Sequence, residues 1–126
     1  MYTVYTHTSL ETIKNEFEAK AKEAGFGLLT SYDFKQILHT KGHPIEKEIH
    51  LFEVCNPLAA QKALSQIPEI SIYLPCRISL YKEANQTVLS TIKAEEMLAS
   101  IKIDATLKKE MLKVFERLKQ IMHSWK

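Results

Sequence analysis

The chain has 126 residues, a hydrophobic fraction of 45%, a charged fraction of 25% and a formal net charge of +2, proportions that exclude a disordered chain and suit one core formed without staples. So near-neutral a balance excludes a polycationic nucleic-acid binder; no nucleic-acid partner is expected, and an anionic partner would need a local patch. Met1-Tyr2-Thr3-Val4-Tyr5-Thr6 turns polar too early for a signal peptide, no apolar run approaches a membrane span, and the two cysteines read as free thiols of a cytoplasmic protein, periplasmic only if a signal peptide had been removed.

Alternating β-branched and aromatic residues predict a first strand over Thr3 to Thr6. Thr8-Ser9-Leu10-Glu11 matches a capping box with Thr8 as the cap, and Leu10, Ile13, Phe17, Ala21 and Ala24 follow at helical spacing. Gly25 stands where a left-handed helix end is wanted, and Phe26 to Tyr32 reads as the second strand. Asp33 with Gln36 predicts a short helix through about Thr40, closed by Gly42 and Pro44.

Ile49 to Cys55 reads as a third strand, and Asn56-Pro57 as a helix start, with Asn capping free amides and Pro where its missing N–H costs nothing. Leu58, Ala60, Ala63, Leu64 and Ile67 carry that helix to Pro68. Ile70 to Tyr81 reads as one long strand in which Pro75 implies an edge position or a bulge. Lys82 to Gln86 turns the chain into a hairpin with Thr87 to Ile92. A short helix over Ala94 to Ile101 and a long one from about Thr106 to His123 follow, the latter aligning Leu107, Met111, Val114, Leu118, Ile121 and Trp125 on one stripe. The order is β-α-β-α-β-α-β-β-α-α in one α+β domain spanning residues 1–126, without repeats or linkers.

Gly25-Phe26-Gly27-Leu28-Leu29-Thr30, Cys55-Asn56-Pro57 and Leu74-Pro75-Cys76-Arg77 together resemble the bacterial family known as domain of unknown function 302. The resemblance runs from about Thr3 to Leu98 and makes the helix within residues 104–126 look appended to the family core. It implies one antiparallel sheet, here of about five strands, with helices packed on one side, and a homodimer. It implies no established activity, and the cofactor is unknown. Where the family tends to have small or aliphatic residues before C-N-P, this chain has Glu53, a carboxylate on the same strand face as the Cys55 thiol.

Cys55 immediately precedes a helix start, where free amides and the helix dipole stabilise a thiolate. The alternative is a small buried hydrophobe beside an ordinary helix cap. Cys76 follows Pro75, and if the third and fourth strands are neighbours the two sulfurs approach each other. That would permit a redox pair or half of a soft-metal site, although C-x-x-C and the ligand spacings of structural zinc are absent. Arg77 either holds an anion beside the site or is an exposed strand arginine. His39 and His43 read as exposed turn residues, and His50 has the opposite parity to Cys55, which argues against co-ligation.

No nucleophile elbow, phosphate loop or H-E-x-x-H occurs. A dimeric binding module with a ligand, soft-metal or cofactor site around Cys55, Asn56, Pro57, Cys76, Arg77 and Glu53 therefore ranks above the alternative, a thiol-dependent redox protein or enzyme using Cys55. On the terminal helix Lys108, Lys109, Lys113, Arg117, Lys119 and Lys126 outnumber Glu110 and Glu116. It is expected to dock on its own sheet or a second subunit, with an anionic surface as the alternative.

Overall fold

The structure, a computed structural model that describes residues 1–126, runs through strand β1 (Tyr2–Thr6), helix α1 (Leu10–Glu23), strand β2 (Gly27–Asp33), helix α2 (Phe34–Thr40) and strand β3 (Ile49–Cys55). Helix α3 (Pro57–Gln66), a 3-10 turn (Pro68–Ile72), strands β4 (Cys76–Glu83) and β5 (Gln86–Thr91), and helices α4 (Ala94–Ala99) and α5 (Ala105–His123) follow. The strands form one open sheet in the order β1-β5-β4-β3-β2, with every neighbouring pair antiparallel. Helices cover one side of it, giving the expected α+β fold.

Period-two alternation separates the two faces of the sheet. Val4, Leu89, Leu80, Ile78, Phe52 and Val54 point toward the helices and are buried. Helix α1 sets Leu10, Ile13, Phe17 and Ala21 against them, with the Phe17 ring stacked on Phe52 at 4.1 Å between centroids. Trp125, just beyond α5, also stacks on Phe17, at 6.0 Å between centroids. Seven side chains of α5 are buried, from Leu107 to Met122, within the same 24-residue cluster as the strands, so this helix is docked on its own sheet.

Several local signals act as the residues dictate. Asp33 accepts a hydrogen bond from the Gln36 amide, and Asn56 from the Ala59 amide. Gly25 sits at φ +89°, and the amides of Gly25 and Phe26 bond back to Lys22 and Ala21, closing α1 in a left-handed turn that only glycine enters without strain.

Three expectations are corrected. Helix α1 is capped by Ser9, whose hydroxyl accepts from the Thr12 amide, while the Thr8 hydroxyl donates to the Trp125 carbonyl at 2.6 Å. The segment from Ile70 is not strand. Ile70 is fully buried and Ile72 is 73% exposed, a difference that two same-parity residues of one strand would not show, and the Ile70 and Tyr73 amides close short turns instead. Pro75 therefore precedes β4 rather than interrupting it, and β4 lies in the middle of the sheet, not at an edge. Helix α3 ends before Pro68 as expected, and it buries only Ala63. Its Leu58 and Leu64 are exposed, because the helix meets the rest of the protein along its alanine side.

Candidate functional site

The end of β3 and the start of β4 lie side by side, with Val54 opposite Cys76 and Glu53 opposite Arg77. This register brings five of the six sequence candidates to one end of the sheet, and Pro57 continues directly from them into the first turn of α3.

Both cysteines are free, Cys55 half-buried and Cys76 buried. They line one narrow crevice of about 20 Å³ with Val54, Ala59, Ala60, Leu74, Pro75, Met111 and Val114. A space of that size holds roughly one water molecule. On the other side of Cys76 a larger cavity of about 260 Å³ is lined by Ile72, Tyr73, Pro75, Cys76, Arg77, Thr91, Ile92 and Phe115. Cys76 and Pro75 thus form the wall between the two spaces.

The electrostatics oppose a thiolate. Burial raises the Cys55 pKa despite the helix start beside it. Burial, then repulsion from Cys55, pushes Cys76 up to about 11. Of the two readings of Cys55, this direction favours the small, largely buried thiol: desolvation is what raises it, and the Asn56 side chain at the helix end is engaged in capping. Both thiols are protonated at neutral pH and behave as weak hydrogen-bonding, largely apolar groups.

Nowhere do three or more His, Cys, Asp or Glu side chains gather in a metal-holding group. His50 is buried on the helix-facing side and bonds Glu48 at 2.8 Å, away from Cys55 as its parity requires. His39 and His43 are exposed.

Glu53 and Arg77 form the charged part of the site. The Arg77 Nε donates to Glu53 Oε2 at 3.0 Å, with the carboxylate side chain 10% exposed and the arginine 51% exposed. They face away from the helices, beside Thr30 of β2. Tyr32 joins them: a hydrogen bond with the Glu53 carboxylate, reinforced by its charge, raises the phenol pKa. Sequence reasoning missed Tyr32, Thr91 and Phe115. Tyr32 reaches Glu53 only because of an irregular register between Leu28 and Thr30 in β2, which no local spacing signals. Thr91 and Phe115 come to the cavity from β5 and α5, elements distant in sequence.

The chain matches the family described as "Domain of unknown function DUF302" over residues 2–125, a span that takes in α5 as well as the residues that carry the resemblance. It is similar to the crystal structure of an uncharacterized conserved DUF302 protein from Bacillus stearothermophilus, with 26% sequence identity and a TM-score of 0.88, covering 99% of this chain and 97% of that one. No curated protein matches it.

Proposed function

We propose, from the premise that the chain belongs to the domain of unknown function DUF302 family, that it is a non-enzymatic binding module, acting as a homodimer, whose ligand enters the cavity beside Cys76. The observation that carries this reading is the 260 Å³ space itself. It lies just below the usual size range of small-molecule sites, and like them it has mostly apolar walls with few polar groups. The polar groups are themselves largely committed. Thr91 donates its hydroxyl to the Arg77 carbonyl at 2.6 Å, Tyr73 shares a hydrogen bond with Ser100, and Cys76 holds its proton. Arg77 lines the cavity at its strand position, while its guanidinium is tied to Glu53 on the opposite face of the sheet. A small, largely apolar ligand fits this chemistry.

The sheet face away from the helices supports the dimer. Tyr5 and Tyr32 are exposed there at 46% and 37%, with half-buried Tyr81 between their strands, and tyrosine is enriched at protein interfaces. A thiol-dependent redox role would need a stabilised thiolate at Cys55, and burial acts in the opposite direction.

Native mass spectrometry of freshly purified protein, with thermal-shift screening of small carboxylic acids and apolar compounds, tests both parts. The expected result is a dimeric mass and a bound or stabilising small molecule that Ile92→Trp, which narrows the cavity, displaces. A monomer at micromolar concentration would remove the dimer. A cavity that stays empty against every compound, with Ile92→Trp indistinguishable from wild type, would remove the ligand.

A further inference from the structure

We propose that the groove between α3 and α5 binds a small phosphate-bearing anion, at a site distinct from the cavity beside Cys76. The groove has a volume of about 210 Å³ and brings Asn56 and Lys62 of the α3 side together with Glu110, Lys113 and Arg117 of α5.

The charges do not balance within the chain. Lys62 and Glu110 neutralise each other at 3.0 Å. Lys113 and Arg117 have no carboxylate within 4.0 Å, since none of the ion pairs includes them. They stand four residues apart on one helix, where like charges repel. Two cations with no counter-charge thus line one groove, and a phosphate monoester carries roughly two negative charges at neutral pH.

The donors also converge. Arg117 Nη1 and Asn56 Nδ2 lie 3.8 and 3.9 Å from the point where a Cβ on Gly25 would stand, so both reach the same small space. Asn56 cannot turn its amide round, because its Oδ1 accepts from the Ala59 amide at 3.1 Å. Its NH2 is thereby fixed as a donor on the Gly25 side, and no side-chain or backbone acceptor takes it. A planar guanidinium, a fixed amide donor and a flexible ammonium are what a tetrahedral oxyanion requires, and the guanidinium supplies the paired geometry that phosphate favours.

The test is a titration of the full chain with inorganic phosphate at constant ionic strength, followed by nitrogen-15 NMR, for the wild type, Arg117→Gln and Lys113→Gln. Saturable shifts confined to the Asn56 side-chain amide and the neighbouring first turn of α3 are expected. Arg117→Gln should weaken binding by about tenfold or more, the loss of one charge-assisted hydrogen bond. Both replaced side chains are exposed, so unchanged far-ultraviolet circular dichroism should confirm that the variants fold. Shifts that do not saturate, that spread over the surface lysines, that chloride reproduces, or that Arg117→Gln leaves unaltered would overturn the proposal. So would binding to anionic-lipid vesicles without binding of soluble phosphate. The Ile92→Trp variant should bind phosphate as the wild type does, which keeps this result separate from that of the Cys76 cavity.

Discussion

One sheet presents two chemically different faces from the same five strands. Toward the helices it offers Val4, Leu89, Leu80, Ile78, Phe52 and Val54, all at most 4% exposed. On the opposite side run two rows, Tyr5-Val88-Tyr81-Ile49 and Thr3-Ser90-Ser79-Leu51-Tyr32, with Arg77, Glu53 and Thr30 beyond them. Val88 is fully buried although it points away from the helices, flanked in register by Tyr5 and Tyr81. The first face is held by apolar contact with the helices, and the second carries the aromatic, hydroxyl and charged side chains. Adjacent residues of one strand therefore answer to different constraints, which is why Glu53 can occupy a place between buried Phe52 and Val54.

The largest test of this division is Phe17→Ala. Removing the ring that stacks on Phe52 and Trp125 should lower the unfolding free energy by about 3–5 kcal/mol in urea denaturation. Tyr81→Ala on the open face should cost only about 1 kcal/mol. Equal losses would break the comparison, because the open face would then hold the fold as firmly as the packed one.

A smaller effect comes from Cys76, which belongs to the packed face. Its folded pKa is raised from an ordinary 9.0 to about 11, so the folded state holds this proton more tightly than the unfolded state. The resulting stability is fully present below pH 9 and is lost as pH rises toward 11. The integrated loss is about 2–3 kcal/mol. Stability measured against pH should fall across that window in the wild type and stay flatter in Cys76→Ala. Alkylation of Cys55 should likewise need alkaline pH, and rapid alkylation near neutrality would sink the non-redox reading.

The smallest effect belongs to the open face. Arg77→Ala strands a mostly buried Glu53 carboxylate, yet the arginine is itself half in water, so a loss of about 1–2 kcal/mol is expected, below that of a fully buried pair. Adding Glu53→Gln should recover part of it in a double-mutant cycle. No recovery would mean that Glu53 is held by groups other than Arg77.

What the sequence revealed follows where local physics decides. Ile49–Cys55 reads correctly because a strand flanked by Asn-Pro has only one plausible end, and Asp33 and Asn56 cap as their chemistry requires. Thr8 and Ser9 are both good caps, and the Glu11 spacing favours the wrong one, because the Thr8 hydroxyl is claimed by Trp125 from the far end of the chain. Ile70 to Leu74 is apolar enough for a strand, but its fate depends on what lies above it, not on its own pattern. The candidate site was legible as a neighbourhood, since the third and fourth strands being neighbours suffices to bring Cys55 and Cys76 to one end of the sheet, although the register sets Cys76 opposite Val54. Its thiol chemistry was not, because the desolvation that raises both pKa values depends on side chains such as Met111 and Val114 that α5 supplies.

The clasp at Trp125 has a consequence for synthesis. The hydroxyls of Thr6 and Thr8 both donate to its carbonyl, and its indole N–H reaches Glu16, 109 residues earlier. During translation the apolar side of α1 is made long before the ring that closes over it. A nascent chain therefore displays Phe17 and its neighbours until residue 125 has left the ribosome, and closing so long a loop is entropically slow.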